Sequence, residues 1–189
     1  TGLDVQPQLT TDGAGNWVAV WFSQNLDSAT GKDFDIYVST STNNGETWSA
    51  QTLLTTNGTT DKGNDSRPQI TTDGLGNWVA VWHSNEKLGG TTGKDWDIFV
   101  STSTDNGGTW SAPALLNTNG TTDKGDDQDP QVTTDSAGNW VAVWGSLENL
   151  GRTAGKDLDI FVSTSTNNGG TWSAPALLNT NGTSDKGDD

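Results

Sequence analysis

The stretch Trp78-Val79-Ala80-Val81-Trp82 decides the fold, because it recurs unchanged as Trp17–Trp21 and as Trp140–Trp144. The three copies begin 61 and 62 residues apart. Apolar side chains occupy both faces of each copy, and a strand that is apolar on both sides is buried on both sides. A single small sheet cannot bury both faces of such a strand alone, so the copies are expected to stack on one another.

The whole chain follows the same period, in copies that span about 4–64, 65–126 and 127–189. In the first copy, turn residues separate four strand signals, at 8–11, 17–22, 35–41 and 47 to about 54. The turn Asp12-Gly13-Ala14-Gly15-Asn16 supplies two glycines for positive φ. No stretch carries apolar residues at helical spacing, so we predict an all-β protein.

Radial stacking of four-stranded antiparallel sheets predicts a β-propeller in which residues 1–189 form one segment of three blades. A parallel β-helix is the competing repeat architecture, but its coils are much shorter than this period. Propellers typically have four to eight blades, so three do not close a ring. Two chains arranged head to tail would give six blades, and the rival interpretation is a piece of a longer covalent array.

Composition limits the functional classes. Leu, Ile, Val and Phe together make up under a fifth of the residues and the net charge is −15, which is typical of disordered chains, yet ten tryptophans at fixed repeat positions predict a folded protein. Nine Lys and Arg residues make nucleic acid an unsuitable partner. The chain has no Cys and no Met. The missing Met indicates a processed or excerpted product, and we expect a secreted or cell-surface protein.

A second repeated motif reads Ser41-Thr42-Asn43-Asn44-Gly45-Glu46-Thr47-Trp48 and returns at 103–110 and 165–172. It resembles the Asp-box, S-x-D-x-G-x-T-W, of sialidases and other BNR-repeat propellers. The short Asp or Asn side chain is expected to accept backbone hydrogen bonds, Gly to take positive φ, and Trp to pack over the hairpin. The structural Asp-box residues are Ser41, Asn43, Gly45, Trp48, Ser103, Asp105, Gly107, Trp110, Ser165, Asn167, Gly169 and Trp172.

The resemblance implies a sialidase site with three arginines, a tyrosine nucleophile, its glutamate and an acid/base aspartate. This chain has two arginines, Arg67 and Arg152, and one tyrosine, Tyr37, so one chain cannot assemble that set. Tyr37 aligns with Phe99 and Phe161, which favours a packing role. No catalytic residue is therefore assigned. A two-carboxylate glycosidase using Glu86 and Glu148 stays open, as does a rim role for the single histidine, His83.

Acidic segments precede the third strand of each copy and link one copy to the next. The resemblance implies that these two kinds of segment lie on the propeller face opposite the Asp-boxes. Clustered carboxylates suit Ca²⁺, which takes six to eight oxygen ligands. Neighbouring lysines such as Lys62 and Lys124 offer the alternative that the carboxylates are only paired or solvated. The candidate metal ligands are Asp33, Asp35, Asp61, Asp65, Asp95, Asp97, Asp123, Asp127, Asp157, Asp159, Asp185 and Asp189.

These observations favour a non-catalytic binding or scaffold module that uses its acidic loop face for a carbohydrate or protein ligand, with Ca²⁺ as the cofactor and a second copy as partner. One alternative is a sialidase-like glycoside hydrolase or a fragment of one. The other is a purely structural or engineered symmetric assembly, which the near-identity of the copies favours and which predicts no ligand.

Overall fold

The computed structural model describes residues 2–24, 33–56, 62–88, 95–150 and 157–179. They form three four-stranded antiparallel sheets, each following chain order, so the all-β propeller fold is confirmed. Blade 1 contains β1–β4, blade 2 contains β5–β8 and blade 3 contains β9–β12. The strands are β1 (Leu3–Thr11), β2 (Trp17–Gln24), β3 (Phe34–Ser41), β4 (Thr52–Leu53), β5 (Asp65–Thr72), β6 (Trp78–Ser84), β7 (Asp97–Ser103), β8 (Ala114–Leu115), β9 (Asp127–Thr134), β10 (Trp140–Ser146), β11 (Asp159–Ser165) and β12 (Ala176–Leu177).

The fourth strand of each blade is much shorter than the sequence predicts, only two residues. Side-chain hydroxyl groups replace part of the backbone ladder before it. Ser49 Oγ accepts a hydrogen bond from the Thr40 amide at 3.0 Å, and Ser39 Oγ donates to the Ser49 carbonyl at 2.9 Å. The predicted strand from 47 to 54 is therefore wrong in length, because hydroxyl groups satisfy backbone groups that a longer ladder would use.

The first strand is longer than predicted and carries a bulge. β1 begins at Leu3, and its register against β2 shifts between Val5 and Gln8. Gln6 has φ 49°, and its repeat equivalents Arg67 and Asp129 have φ 52° and 54°. Each stands next to the repeated proline, which a strand tolerates only at an edge or a bulge.

The hairpin turns follow the sequence prediction. Gly13 and Gly15 have φ 74° and 106°. Asp12 Oδ1 accepts hydrogen bonds from the amides of Ala14 and Asn16, at 2.7 and 3.0 Å. The Asp-box-like turns lie beside these hairpins, since the Asn44 amide donates to the Gly15 carbonyl at 3.0 Å. Both kinds of turn therefore share one end of the blades, opposite the acidic segments.

Two apolar cores hold the three blades together. Between blades 1 and 2, Val18, Val20 and Ile36 pack with Trp78 and Trp82. Between blades 2 and 3, the equivalent residues pack in the same way: Val79, Val81 and Ile98 with Trp140 and Trp144. A residue such as Trp82 buries far more area than an aliphatic side chain, which is how so few aliphatic residues supply two cores.

The inner strands β1, β5 and β9 lie side by side, with β5 against both of the others. Their bulges line a pocket of about 280 Å³, whose walls come from Gln6, Gln8, Arg67, Pro68, Gln69, Asp129, Pro130 and Gln131. Among the described residues there is no helix with the length and apolarity needed to cross a bilayer.

Candidate cation site on the acidic loop face

The strand ends opposite the Asp-box-like turns form the acidic loop face, which in the described residues comprises 33–34, 62–64, 85–88, 95–96, 117–126, 147–150 and 157–158. Hydrogen bonds join its segments. The Trp96 amide donates to Asp126 Oδ1 at 3.1 Å, and the Asp127 amide donates to the Trp96 carbonyl at 2.8 Å. The approach to β7 and the link between blades 2 and 3 are thus fixed against each other.

Three carboxylates meet at this junction. One oxygen each from Asp95, Asp97 and Asp123 lies within 4.8 Å of the other two. Asp97 is 1 % exposed and Asp123 is 8 % exposed. The Oδ2 atoms of Asp95 and Asp97 and the Oδ1 atom of Asp123 are buried without a hydrogen-bond partner. Buried carboxylate oxygens normally have partners, so this group of three is suited to a cation.

Two asparagines position the carboxylates. Asn117 Nδ2 donates to Asp97 Oδ1 at 2.8 Å and to Asp127 Oδ2 at 2.7 Å, while Asn117 Oδ1 accepts from the Ile98 amide at 3.0 Å. Asn119 Nδ2 donates to Asp123 Oδ2 at 2.5 Å. The Asn119 Oδ1 atom is also buried without a hydrogen-bond partner. The Asp123 amide closes the turn on the Asn119 carbonyl at 3.1 Å.

Burial and mutual repulsion oppose ionisation here. Burial, followed by the charges of Asp127, Asp97, Asp95 and Glu148, raises the pKa of Asp123 to about 8. Burial also raises the pKa of Asp97 to about 7, against the hydrogen bond from Asn117. Burial raises the pKa of Asp127 to about 7, and the charge of Asp97 adds to the shift, whereas the hydrogen bond from Asn117 opposes it. A bound cation would favour the ionised forms of Asp97, Asp123 and Asp127.

The link 119–126 is held from the other side by Glu148. Its Oε2 atom accepts a hydrogen bond from the Lys124 amide at 3.2 Å, and a Cβ atom on Gly125 would lie 2.3 Å from the Glu148 amide nitrogen. In the preceding repeat, Glu86 Oε2 accepts from the Gly63 amide at 3.0 Å. Both glutamates therefore fasten the links between blades, a role that the sequence analysis did not identify.

The other predicted ligands do not belong to this group of three within the described residues. Asp127 shares Asn117 with Asp97 but lies outside the group of three. Asp65, at the same repeat position, accepts a hydrogen bond from Trp82 Nε1 at 3.0 Å. Asp33, Asp35, Asp157 and Asp159 occupy the positions of Asp95 and Asp97 in blades 1 and 3, where Asn179 repeats the contact of Asn117 by donating to Asp159 Oδ1 at 2.8 Å. Asp61, Asp185 and Asp189 lie outside the described residues.

Lysine does not neutralise this cluster in the part of the chain that the structure describes. The ion pair found there joins Arg67 and Asp129, whose side chains are 47 % and 54 % exposed. Lys124 is exposed and contacts Glu148 through its backbone amide. Lys32, Lys94, Lys156 and Lys186, together with Asp61 beside Lys62, lie outside the described residues, so the alternative in which lysines pair with the aspartates stays a prediction.

Among the described residues considered for sialidase chemistry, Tyr37 and Arg67 do not meet at one site. Tyr37 is 4 % exposed in the core of blade 1, where its ring stacks on Trp21 at 6.2 Å, and it does not line the inner-strand pocket. Arg67 does line that pocket, and Arg152 lies outside the described residues. His83 is buried at the end of β6, with Nε2 2.5 Å from Ser66 Oγ and its ring 4.7 Å from that of Trp96.

Solved glycosidase structures share this architecture. A Hadza microbial sialidase superimposes with a TM-score of 0.62 at 18% identity, covering 88% of this chain and 36% of that one. The GH93 α-L-arabinofuranosidase of Fusarium graminearum, solved with arabinobiose, gives 0.60 at 15% identity over 93% of this chain and 50% of that one. The Penicillium chrysogenum α-L-arabinanase, also with arabinobiose, gives 0.58 at 17% identity over 94% and 51%.

No family model matches the sequence, and no curated protein does. The chain spans between about a third and a half of the length of these three structures. At such low identity the likeness establishes the fold alone: this protein has the sialidase-like β-propeller fold.

Proposed function

We propose that this chain is a non-catalytic propeller module whose acidic loop face binds Ca²⁺ and presents the cation-ordered loops to a ligand. The observation that carries the proposal is the group of Asp95, Asp97 and Asp123, with oxygens within 4.8 Å of one another and one buried, unpartnered oxygen on each side chain. An uncompensated buried carboxylate is costly, and coordination of a cation removes that cost.

The donor set favours Ca²⁺ over Mg²⁺. The three carboxylates offer oxygen ligands only, and they lie on a turn and at the entry to a strand. Ca²⁺ accepts six to eight oxygens in flexible geometry, whereas Mg²⁺ requires a near-ideal octahedron and keeps its water ligands. Binding would join β7 of blade 2 to the link that enters blade 3, and would thereby order the loop face.

Calorimetry on chelator-treated, dialysed protein is the direct test. Titration with CaCl₂ should give saturable binding, and CaCl₂ at 100-fold excess over the dissociation constant should stabilise the fold by about 2.7 kcal/mol, visible as a higher Tm. MgCl₂ should bind more weakly. Absence of both heat and Tm shift on adding CaCl₂ would overturn the proposal and favour a purely structural assembly.

A matched pair of variants locates the site. Asp123→Asn removes one carboxyl group from the cluster and should lower the Ca²⁺ stoichiometry by one. Asp105→Asn removes one charge from the opposite end of blade 2, where copies 1 and 3 already carry Asn43 and Asn167, and should leave the titration unchanged. Equal loss in both variants would indicate a general charge effect instead of a site.

Glycoside hydrolysis is the second candidate, favoured by the glycosidase neighbours and by the pocket between the inner strands. The described pocket offers one arginine, and its carboxylate, Asp129, is already paired with that arginine. Incubation with chromogenic sialosides and arabinofuranosides should therefore show no turnover. Turnover that disappears in Asp129→Asn would establish the enzyme instead of the binding module.

A further inference from the structure

Burial changes from blade to blade in a pattern that marks two uncovered faces. Val18, Val20, Ile36, Val38 and Leu54 of blade 1 are buried, as are their equivalents in blade 2, whereas the equivalents in blade 3 are exposed or half-buried. Val141 is 38 % exposed and Leu178 is 52 % exposed. We define this set as the valine face of blade 3: Val141, Val143, Ile160, Val162 and Leu178.

Blade 1 shows the reverse pattern on its other side. Trp78 and Trp140 are fully buried, but their equivalent Trp17 is half-buried, and Trp21 is half-buried where Trp82 and Trp144 are enclosed. Trp48 is 41 % exposed. We define this set as the tryptophan face of blade 1: Trp17, Ala19, Trp21 and Trp48.

The chain itself shows what covers the equivalent faces of its other blades. At both internal junctions, a valine face packs against the tryptophan face of the following blade. Trp110 and Trp172, the equivalents of Trp48, pack against these cores. The turn glycines approach just as closely: a Cβ atom on Gly107 would lie 2.8 Å from Val18 Cγ2, and one on Gly169 would lie 2.7 Å from Val79 Cγ2.

We propose that the valine face of blade 3 docks onto the tryptophan face of blade 1 in a second copy of this chain, and that the same contact in return closes a ring of six blades. Both uncovered faces have the residues and the geometry of an interface that already exists twice in the chain. The contact is heterologous, and two copies close it after one turn, within the four to eight blades of known propellers. This inference does not rest on cation binding.

Native mass spectrometry and light scattering on the 189-residue chain give the first test. The expected species has twice the chain mass of 19.9 kDa and is independent of concentration over a wide range. A single species of 19.9 kDa would overturn the proposal, leaving further covalent blades as the occupant of these faces. A concentration-dependent ladder of longer oligomers would overturn closure.

Face variants distinguish the proposed contact from other association. Val141→Glu disrupts the valine face and Trp48→Glu the tryptophan face, and both residues are exposed within one copy, so each variant should fold and remain at 19.9 kDa. Leu75→Glu, at a residue that is 78 % exposed in the β5–β6 turn, is the control and should still form the dimer. A dimer that persists in both face variants would contradict the assignment.

Mixing the two face variants is the sharper experiment. Val141→Glu retains an intact tryptophan face, and Trp48→Glu retains an intact valine face, so an equimolar mixture should form one junction and give an open heterodimer. Neither variant alone has a complementary pair. Recovery of the doubled mass only in the mixture supports head-to-tail docking, and failure of the mixture to associate overturns it even if each variant is folded.

Discussion

Gly120 lies so close to Asp97 that a Cβ atom at position 120 would stand 2.3 Å from the Asp97 Oδ1 atom. That oxygen also accepts the hydrogen bond from Asn117. Because Asp97 is buried on a strand, close packing prevents its side chain from moving away. The turn 117–123 can therefore place Asp123 beside Asp97 only if residue 120 has no side chain.

Gly120→Ala should consequently abolish or strongly weaken Ca²⁺ binding, because either the turn or the Asp97 carboxylate must move. The measurement is the Ca²⁺-dependent shift in Tm of the chelator-treated protein. Gly108→Ala, in the Asp-box-like turn at the other end of the blade, should keep the full shift. A variant at position 120 that binds Ca²⁺ normally would show that this turn is not part of the site.

Asp105→Ala should destabilise the protein by about 1 kcal/mol, because Asp105 Oδ1 accepts hydrogen bonds from the Thr109 amide at 2.8 Å and from Ser103 Oγ at 2.8 Å. Asp105→Asn should be nearly neutral, since Asn43 Oδ1 accepts from the Thr47 amide at 3.0 Å in the same arrangement. Urea unfolding of both variants provides the comparison. Equal destabilisation would mean that the charge, and not the acceptor oxygen, stabilises the turn.

The fold was predictable because burial on both faces of Trp78–Trp82 requires stacked sheets. The bulges were not, because a break in pairing at Gln6 leaves no mark in the sequence beyond the neighbouring Pro7. The length of β4 was missed because the serine hydroxyls of Ser39 and Ser49 compete with the ladder in a way that strand propensity does not express.

The sequence predicts the carboxylates of the candidate site but not the asparagines that hydrogen-bond them. Alternation along the strand entry puts Asp95 and Asp97 on one side, and the repeated acidic link supplies Asp123. Asn117 and Asn119 belong to a Thr- and Asn-rich segment where many amides look alike. The sequence signal that distinguishes Asn117 is its return as Asn179, whereas Thr55 stands there in copy 1 and donates to Asp35 Oδ1 at 3.4 Å.

His83 should make the protein sensitive to acid. Burial lowers the pKa of His83 to about 4, with Asp129 and Asp126 opposing that shift and Arg67 adding to it. The folded form then binds fewer protons than the unfolded form between about pH 6.5 and pH 4. This stability is present above pH 6.5 and is lost as the pH falls, by roughly 2 kcal/mol between pH 7 and pH 4.5.

His83→Phe, which installs the Phe22 of copy 1, should remove that acid-dependent loss. The measurement is the difference in unfolding free energy between the two proteins at pH 7 and at pH 4.5, so that carboxylates titrating in both cancel. Relative to the unsubstituted protein, the His83→Phe variant should have a higher unfolding free energy at pH 4.5 than it has at pH 7. A gap that stays constant across this range would show that His83 protonates equally easily in both states.

Arg67→Gln should change the free energy of unfolding by less than about 1 kcal/mol, because the Arg67–Asp129 pair is about half exposed and such pairs contribute little. Gln6 already occupies the equivalent position in copy 1 with the same positive φ. Thermal unfolding at low and high salt measures the effect. A larger, salt-independent loss would show that the pair supports the bulges of the inner strands.

Gly45→Ala and Gly107→Ala should have different effects, because Gly107 lies at the junction between blades 1 and 2 and Gly45 lies on the uncovered side of blade 1. Both glycines have positive φ, 82° and 78°, so alanine costs about 1 kcal/mol at either position. Gly107→Ala adds a clash with Val18, whereas a Cβ atom on Gly45 would meet, among the described residues, only Trp48, at 4.0 Å. At dilutions where the chain is monomeric, Gly107→Ala should therefore destabilise the fold more.

In the closed ring Gly45 would face the partner's Val141, so Gly45→Ala should raise the dissociation constant of the dimer, measured by mass photometry or sedimentation. Unchanged dissociation in Gly45→Ala would place the partner elsewhere.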